Sequence, residues 1–124
     1  MRNRFLSIFA AAIFVASLSA NVNAETFYAY LNGAQEVPAV ATSATGYARV
    51  VVNEAAGTLT FTVVFNNLSS AQTASHIHAP APLGANAAVV INFGAVGGTS
   101  GTITGSASIT PTQLAQIRQH LGYV

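Results

Sequence analysis

The sequence predicts an all-β protein, an immunoglobulin-like or superoxide-dismutase-like antiparallel sandwich closed by one short C-terminal helix. Three observations carry that prediction. Apolar residues recur with period two along most of the chain, as they do in strands with one buried face. Connections rich in Gly, Pro and Ala divide the pattern into about six short runs at close spacing, which argues for a sandwich or an open barrel. One stretch near the C-terminus changes to helical spacing behind a capping sequence.

The first segment stands outside the fold. Residues 1–24 read as a secretory signal peptide: Arg2 and Arg4 form a positive start, residues 5–20 an apolar run, and Val22-Asn23-Ala24 a cleavage site with small residues at −3 and −1. The rival reading, a membrane anchor, needs about 20 apolar residues, and this run is shorter. No cysteine follows the cut, so a lipoprotein anchor is not expected. The mature domain then spans 25–124. It is expected in the periplasm or outside the cell, with no transmembrane segment after cleavage.

The strands follow in order. Phe27, Ala29 and Leu31 alternate with Tyr28 and Tyr30. In residues 46–53, Ala48, Val50 and Val52 oppose Tyr47, Arg49 and Val51. Asn53-Glu54-Ala55-Ala56-Gly57 is a turn, making a hairpin with the next strand. Residues 57–65 give the clearest alternation, with Leu59, Phe61, Val63 and Phe65 against Thr58, Thr60 and Thr62. Residues 72–79 and 88–93 are the fourth and fifth strands, and 79–87 and 94–101 are loops. Residues 101–109 alternate Ile103, Gly105, Ala107 and Ile109 with Thr and Ser. The helix starts with Thr110 as N-cap, Pro111 at its first position and Gln113 completing a capping box. Leu114, Ile117 and Leu121 form its apolar stripe, Gly122 is expected to end it, and the stripe is expected to pack on the sandwich edge.

Composition removes several functions. Only 6% of residues are charged, against roughly 25% in ordinary soluble domains, so Thr, Ser, Asn and Gln must wet the surface. Within 25–124, Arg49 and Arg118 face Glu25, Glu36 and Glu54, a balance of −1 with no basic patch; nucleic acid is not an expected partner. The chain holds no Cys, Asp or Lys. A thiol nucleophile, a Ser-His-Asp triad, a P-loop and a Schiff base therefore all fail for want of residues, and no catalytic residue is predicted.

The candidate site is His76-Ile77-His78. Two residues apart on a strand point to one face, roughly 6.5–7 Å apart, so the two imidazoles can converge on one ion while Ile77 enters the core. Zn²⁺ and Cu²⁺ accept neutral imidazole readily. A closed zinc site takes about four ligands and a catalytic one about three, so the pair is half a site. His120 and Glu36 are the candidates for further ligands, Glu54 lying in a turn remote from the strand. Each residue also has a structural reading. The pair can hold the 79–87 loop by hydrogen bonds or face solvent. Glu36 can be a buried carboxylate accepting backbone N–H groups, and His120 a cation near a helix C-terminus.

Ordered motifs give a family resemblance. Leu31-Asn32-Gly33-Ala34-Gln35-Glu36-Val37-Pro38-Ala39-Val40 resembles the opening L-x-G-x-x-E-V-P-P-V of the chordin-type (CHRD) domain, and Thr42 to Gly46 its following T-x-A-x-G. His76-Ile77-His78 with Gly84 and Asn86 resembles the family's H-I-H and G-x-N, and residues 112–121 its terminal helix. The resemblance covers residues 27–124 and implies the sandwich fold. It implies no established activity. Copper-zinc superoxide dismutase also uses an H-x-H strand pair, which adds weight to a metal reading, but the dismutase's bimetallic ligand set is incomplete here.

Family members continue past the helix through Y-V-N-I-H-T to G-E-I-R-G-Q. Gly122-Tyr123-Val124 resembles the start of that segment, so the family's last two strands and its later histidine are expected to be missing. A truncated reading frame, or a sheet completed by a second copy through an open edge, would account for this. The function expected is a non-catalytic binding or interaction module for a protein or envelope component. The alternative is a copper- or zinc-binding protein using His76 and His78.

Overall fold

The computed structural model describes residues 24–82 and 84–124, and the expected signal peptide lies outside them except for Ala24. Among the described residues six strands and one α-helix follow one another as β1 (Ala24–Asn32), β2 (Thr45–Asn53), β3 (Thr58–Asn66), β4 (His76–His78), β5 (Val89–Asn92), β6 (Gly101–Ser108) and α1 (Pro111–Arg118), with a single 3₁₀ turn, Gly33–Gln35, between β1 and β2. They form two antiparallel sheets, one ordered β1-β2-β3-β6 and one made of β4 and β5. The expected all-β sandwich with a short C-terminal helix is the fold observed. No helix among the described residues is long and apolar enough to cross a membrane.

Period two builds the larger sheet. Its inner face presents Ala48, Val50 and Val52 from β2, Leu59, Phe61, Val63 and Phe65 from β3, and Ile103 from β6, all buried. Ile77, Ile91 and Phe93 meet them from the smaller sheet, and Ile109 and Leu114 close one end. The Phe61 and Phe93 rings stack at 4.0 Å between centroids and join the two layers. Gly105 makes that stack possible: a Cβ there would stand 2.7 Å from Phe61 Cζ.

The β2–β3 hairpin turns as expected. Gly57 adopts φ +62°, its N–H donates to the Glu54 carbonyl, and the Asn53 side chain accepts the Ala56 N–H at 3.0 Å. Left-handed backbone suits Gly there because it lacks a Cβ.

Two expectations are corrected. The histidine strand is three residues long, not eight. A register shift between Ile77 and His78 interrupts the ladder, and Pro80, lacking an N–H, stands just beyond. Upstream, Gln72 is buried and turned to the opposite loop: its Nε2 donates to the Gly94 carbonyl, while its Oε1 accepts the Val96 and Gly97 N–H groups.

The helix begins as predicted, with Thr110 and Gln113 in a reciprocal capping box, but it ends at Arg118 rather than at Gly122. The His120 N–H donates to the Ile117 carbonyl and the Leu121 N–H to the Gln116 carbonyl, while His120 takes φ +59°. This is a Schellman ending with histidine where glycine is usual. Arg118 closes the same end by gripping Glu25 at 2.8 Å and Glu54 at 2.6 Å.

Candidate functional site

The two imidazoles do share a face. β4 is bracketed by β5 on one side and on the other by Tyr123, whose backbone exchanges two hydrogen bonds with His78: His78 N–H to Tyr123 O at 2.8 Å, and Tyr123 N–H to His78 O at 3.0 Å. Ile77 is buried between the sheets, which turns His76 and His78 outward together. Their rings lie 5.5 Å apart, edge to face.

His78 is the more constrained of the pair. Its ring stacks on Tyr123 at 5.0 Å, nearly parallel. Its Nδ1 lies 2.9 Å from the Ala87 carbonyl. A carbonyl only accepts, so Nδ1 carries the proton and Nε2 keeps its lone pair in the neutral ring. The Ala87 N–H in turn donates to the Tyr123 hydroxyl at 2.9 Å. The 79–87 loop is thus pinned at Ala87 through its carbonyl by His78 and through its N–H by Tyr123, so of the pair only His78 takes the structural role the sequence offered.

His76 and His78 form part of the wall of a cleft of about 560 Å³ at one end of the sandwich. Its apolar lining comes from Leu31, Val63, Phe65, Leu68, Ile103 and Val124, and Gln72 and Glu36 also border it. That volume falls within the range of small-molecule sites, which are mostly apolar with a few placed polar groups.

The other sequence candidates are placed differently. Glu36 is exposed, and its carboxylate accepts no hydrogen bond among the described residues. The buried, satisfied carboxylate expected there is corrected: Asn32 and Gln35 tie this turn instead, Asn32 Oδ1 accepting the Ala34 N–H and Gln35 Oε1 the Asn32 N–H, each at 3.0 Å. His120 borders a separate hollow of about 360 Å³, which His78 and Glu36 also reach but His76 does not. Among the described residues no three His, Cys, Asp or Glu side chains gather as a metal cluster. Glu54 pairs with Arg118, remote from the pair as expected.

Sequence reasoning missed Gln72 and Tyr123 as the groups that shape this region. It also left unjoined three tyrosines that the β1–β2 register brings together: Tyr28 and Tyr30 flank Tyr47, at centroid distances of 5.9 and 5.3 Å. Burial first, then the neighbouring phenols of Tyr28 and Tyr30, push the Tyr47 hydroxyl above its usual 10.0, and Arg49 opposes them. The alternation placing each Tyr on the outer face was legible, but the pairing across a twelve-residue connection was not.

Comparison with known proteins gives one match. The family model described as the CHRD domain matches residues 27–124. No curated protein matches the chain, and no solved structure does.

Proposed function

Because the chain belongs to the CHRD family, we propose that it is an exported, non-catalytic binding module, acting in the periplasm or outside the cell on a protein or envelope component. The observation that carries this reading is the cleft of about 560 Å³, with an apolar lining and the two histidines as polar groups on its wall. Such a surface suits capture of an apolar segment better than bond-making, since among the described residues no serine of the cleft is hydrogen-bonded to either histidine. The residue inventory supports the same reading. The test places a photo-crosslinking residue at Val40, an exposed cleft residue, and at Val89, an exposed residue outside the cleft. In producing cells, a discrete adduct at position 40 and none at 89 is expected. Equal or absent labelling at both positions would remove the reading.

A second reading has its own observation. The Ala87 carbonyl fixes the His78 tautomer and leaves Nε2 free, the orientation that outer hydrogen bonds give to metal-bound histidines. In this reading His76 and His78 hold Cu²⁺ or Zn²⁺, with Glu36 or His120 reaching in as a further ligand. Calorimetric titration with each metal, beside the His76→Ala/His78→Ala variant, separates the two. Stoichiometric, histidine-dependent binding tighter than about micromolar favours the metal protein. Identical traces for both proteins eliminate it.

A further inference from the structure

The outer face of the four-stranded sheet stands exposed on the side away from β4 and β5. Register arranges its side chains in rows across the strands, the three central ones being Tyr30–Tyr47–Val64–Thr102, Tyr28–Arg49–Thr62–Thr104, and Thr26–Val51–Thr60–Ser106. One corner is therefore aromatic and the rest is a field of hydroxyls, with a guanidinium between. Tyr30 is 74% exposed and Tyr28 59%, unusual for large rings without a partner.

Charge points to the partner. Arg49 is the one ionised side chain on this face. The chain's three carboxylates all lie elsewhere: Glu25 and Glu54 grip Arg118, and Glu36 borders the cleft. Arg49 makes no ion pair among the described residues, so the face presents an uncompensated positive charge beside aromatic rings. Its complement is an anion attached to a body that offers C–H groups to the rings and hydroxyls to the threonines. Val51 and Val64 are the aliphatic residues of these rows and both are partly buried, so what the rows expose is chiefly rings, hydroxyls and one guanidinium.

We propose that this face binds an acidic polysaccharide, with uronate rings laid on Tyr28, Tyr47 and Tyr30 and a carboxylate held by Arg49. Tyrosine supplies rigid amphipathic contact at low entropic cost, and arginine a planar fork matched to a carboxylate. The threonines of β3 and β6 meet the sugar hydroxyls. None of the three tyrosines lines the cleft of about 560 Å³, although Tyr30 also borders the hollow of about 360 Å³ beside Glu36 and His78.

Affinity gel electrophoresis of the purified protein through polygalacturonate, alginate and hyaluronate tests it, with dextran and phosphatidylglycerol vesicles as comparators. Retardation is expected in at least one polyuronate gel, weakening as salt is raised. Tyr30→Ala and Arg49→Gln should each weaken it about tenfold, while His76→Ala/His78→Ala leaves it unchanged. Both substituted side chains are exposed, so the variants should keep the parent's circular dichroism. The proposal is overturned by no retardation in any polyuronate gel, or by retardation that survives either substitution. Binding confined to dextran or to vesicles overturns it as well.

Discussion

The two sheets are held together by different means. In the larger sheet, β1, β2 and β3 run nine residues each and pair without a break from Ala24↔Asn53 to Thr45↔Asn66, so backbone ladders and alternate apolar side chains specify everything. The smaller sheet has strands of three and four residues with a register shift between them. Side chains hold what its ladder does not: Gln72 clasps the 94–97 turn, His78 and Tyr123 clasp Ala87, and Gln113 Nε2 donates to the Val90 carbonyl at 3.2 Å. The region that departs most from the repetitive pattern supplies one wall of the cleft, and Leu31, Val63, Phe65 and Ile103 of the ladder sheet supply another. A ladder gives a rigid platform, and side-chain clasps allow the loops around a cleft to be placed individually.

The sharpest test of whether the sheets form one cooperative unit is Phe61→Ala. It opens a cavity between Leu59, Val63 and Phe65 on the inner face of β3 and removes the stack on Phe93 that joins the layers. A loss of about 3–5 kcal/mol is expected in denaturant unfolding, a large part of the stability of a small domain. Two separated transitions in the variant would mean that the smaller sheet melts on its own. Gln72→Leu tests the clasps. It leaves the Val96 and Gly97 N–H groups and the Gly94 carbonyl without their side-chain partner, which should cost about 1–3 kcal/mol. Hydrogen exchange should speed up at Val96 and Gly97 while β2 and β3 keep their protection. Uniform acceleration would deny the contrast between the sheets.

The same contrast explains how much was legible beforehand. Leu59, Phe61, Val63 and Phe65 alternate with threonine and announced β3, and Thr110-Pro111 with Gln113 announced the helix start, because local physics decides both. The length of β4 depended on the 94–97 turn reaching Gln72 from more than twenty residues away. The role of His78 depended on Ala87 and Tyr123. Glu36 misled because the turn-tying task fell to Asn32 and Gln35, neighbours whose amide oxygens accept backbone N–H groups as a carboxylate would. Gly122 misled because glycine is the usual helix terminator, whereas this chain puts His120 in the left-handed position.

That last substitution of roles gives a smaller effect of opposite sign. A left-handed conformation costs a residue with a Cβ about 1 kcal/mol relative to glycine. His120→Gly should therefore stabilise the fold by about that amount if the helix end is merely strained. Calorimetric melting measures it. A melting temperature that falls instead would show that the imidazole contributes more to the fold than the left-handed backbone costs it.

The smallest effect concerns the one charged tie at the helix end, where Arg118 reaches Glu25 on β1 and Glu54 in the β2–β3 turn. The hydrogen bond from Arg118, and then its charge, hold the Glu54 carboxyl below its ordinary 4.5. A depressed folded value means that the stabilisation is whole above about pH 4.5 and drains away as pH falls through the folded value. Glu54→Gln should accordingly lower the melting temperature slightly at pH 7, and the gap from the parent should close on acidification below that point. Salt should shrink the gap as well, because the pair is exposed and screened. A gap that did not narrow as acid protonates the Glu54 carboxyl would have to come from something other than its charge. In that case the ladder sheet would need nothing from α1, whereas a pH-dependent gap shows that the helix braces the platform from its end.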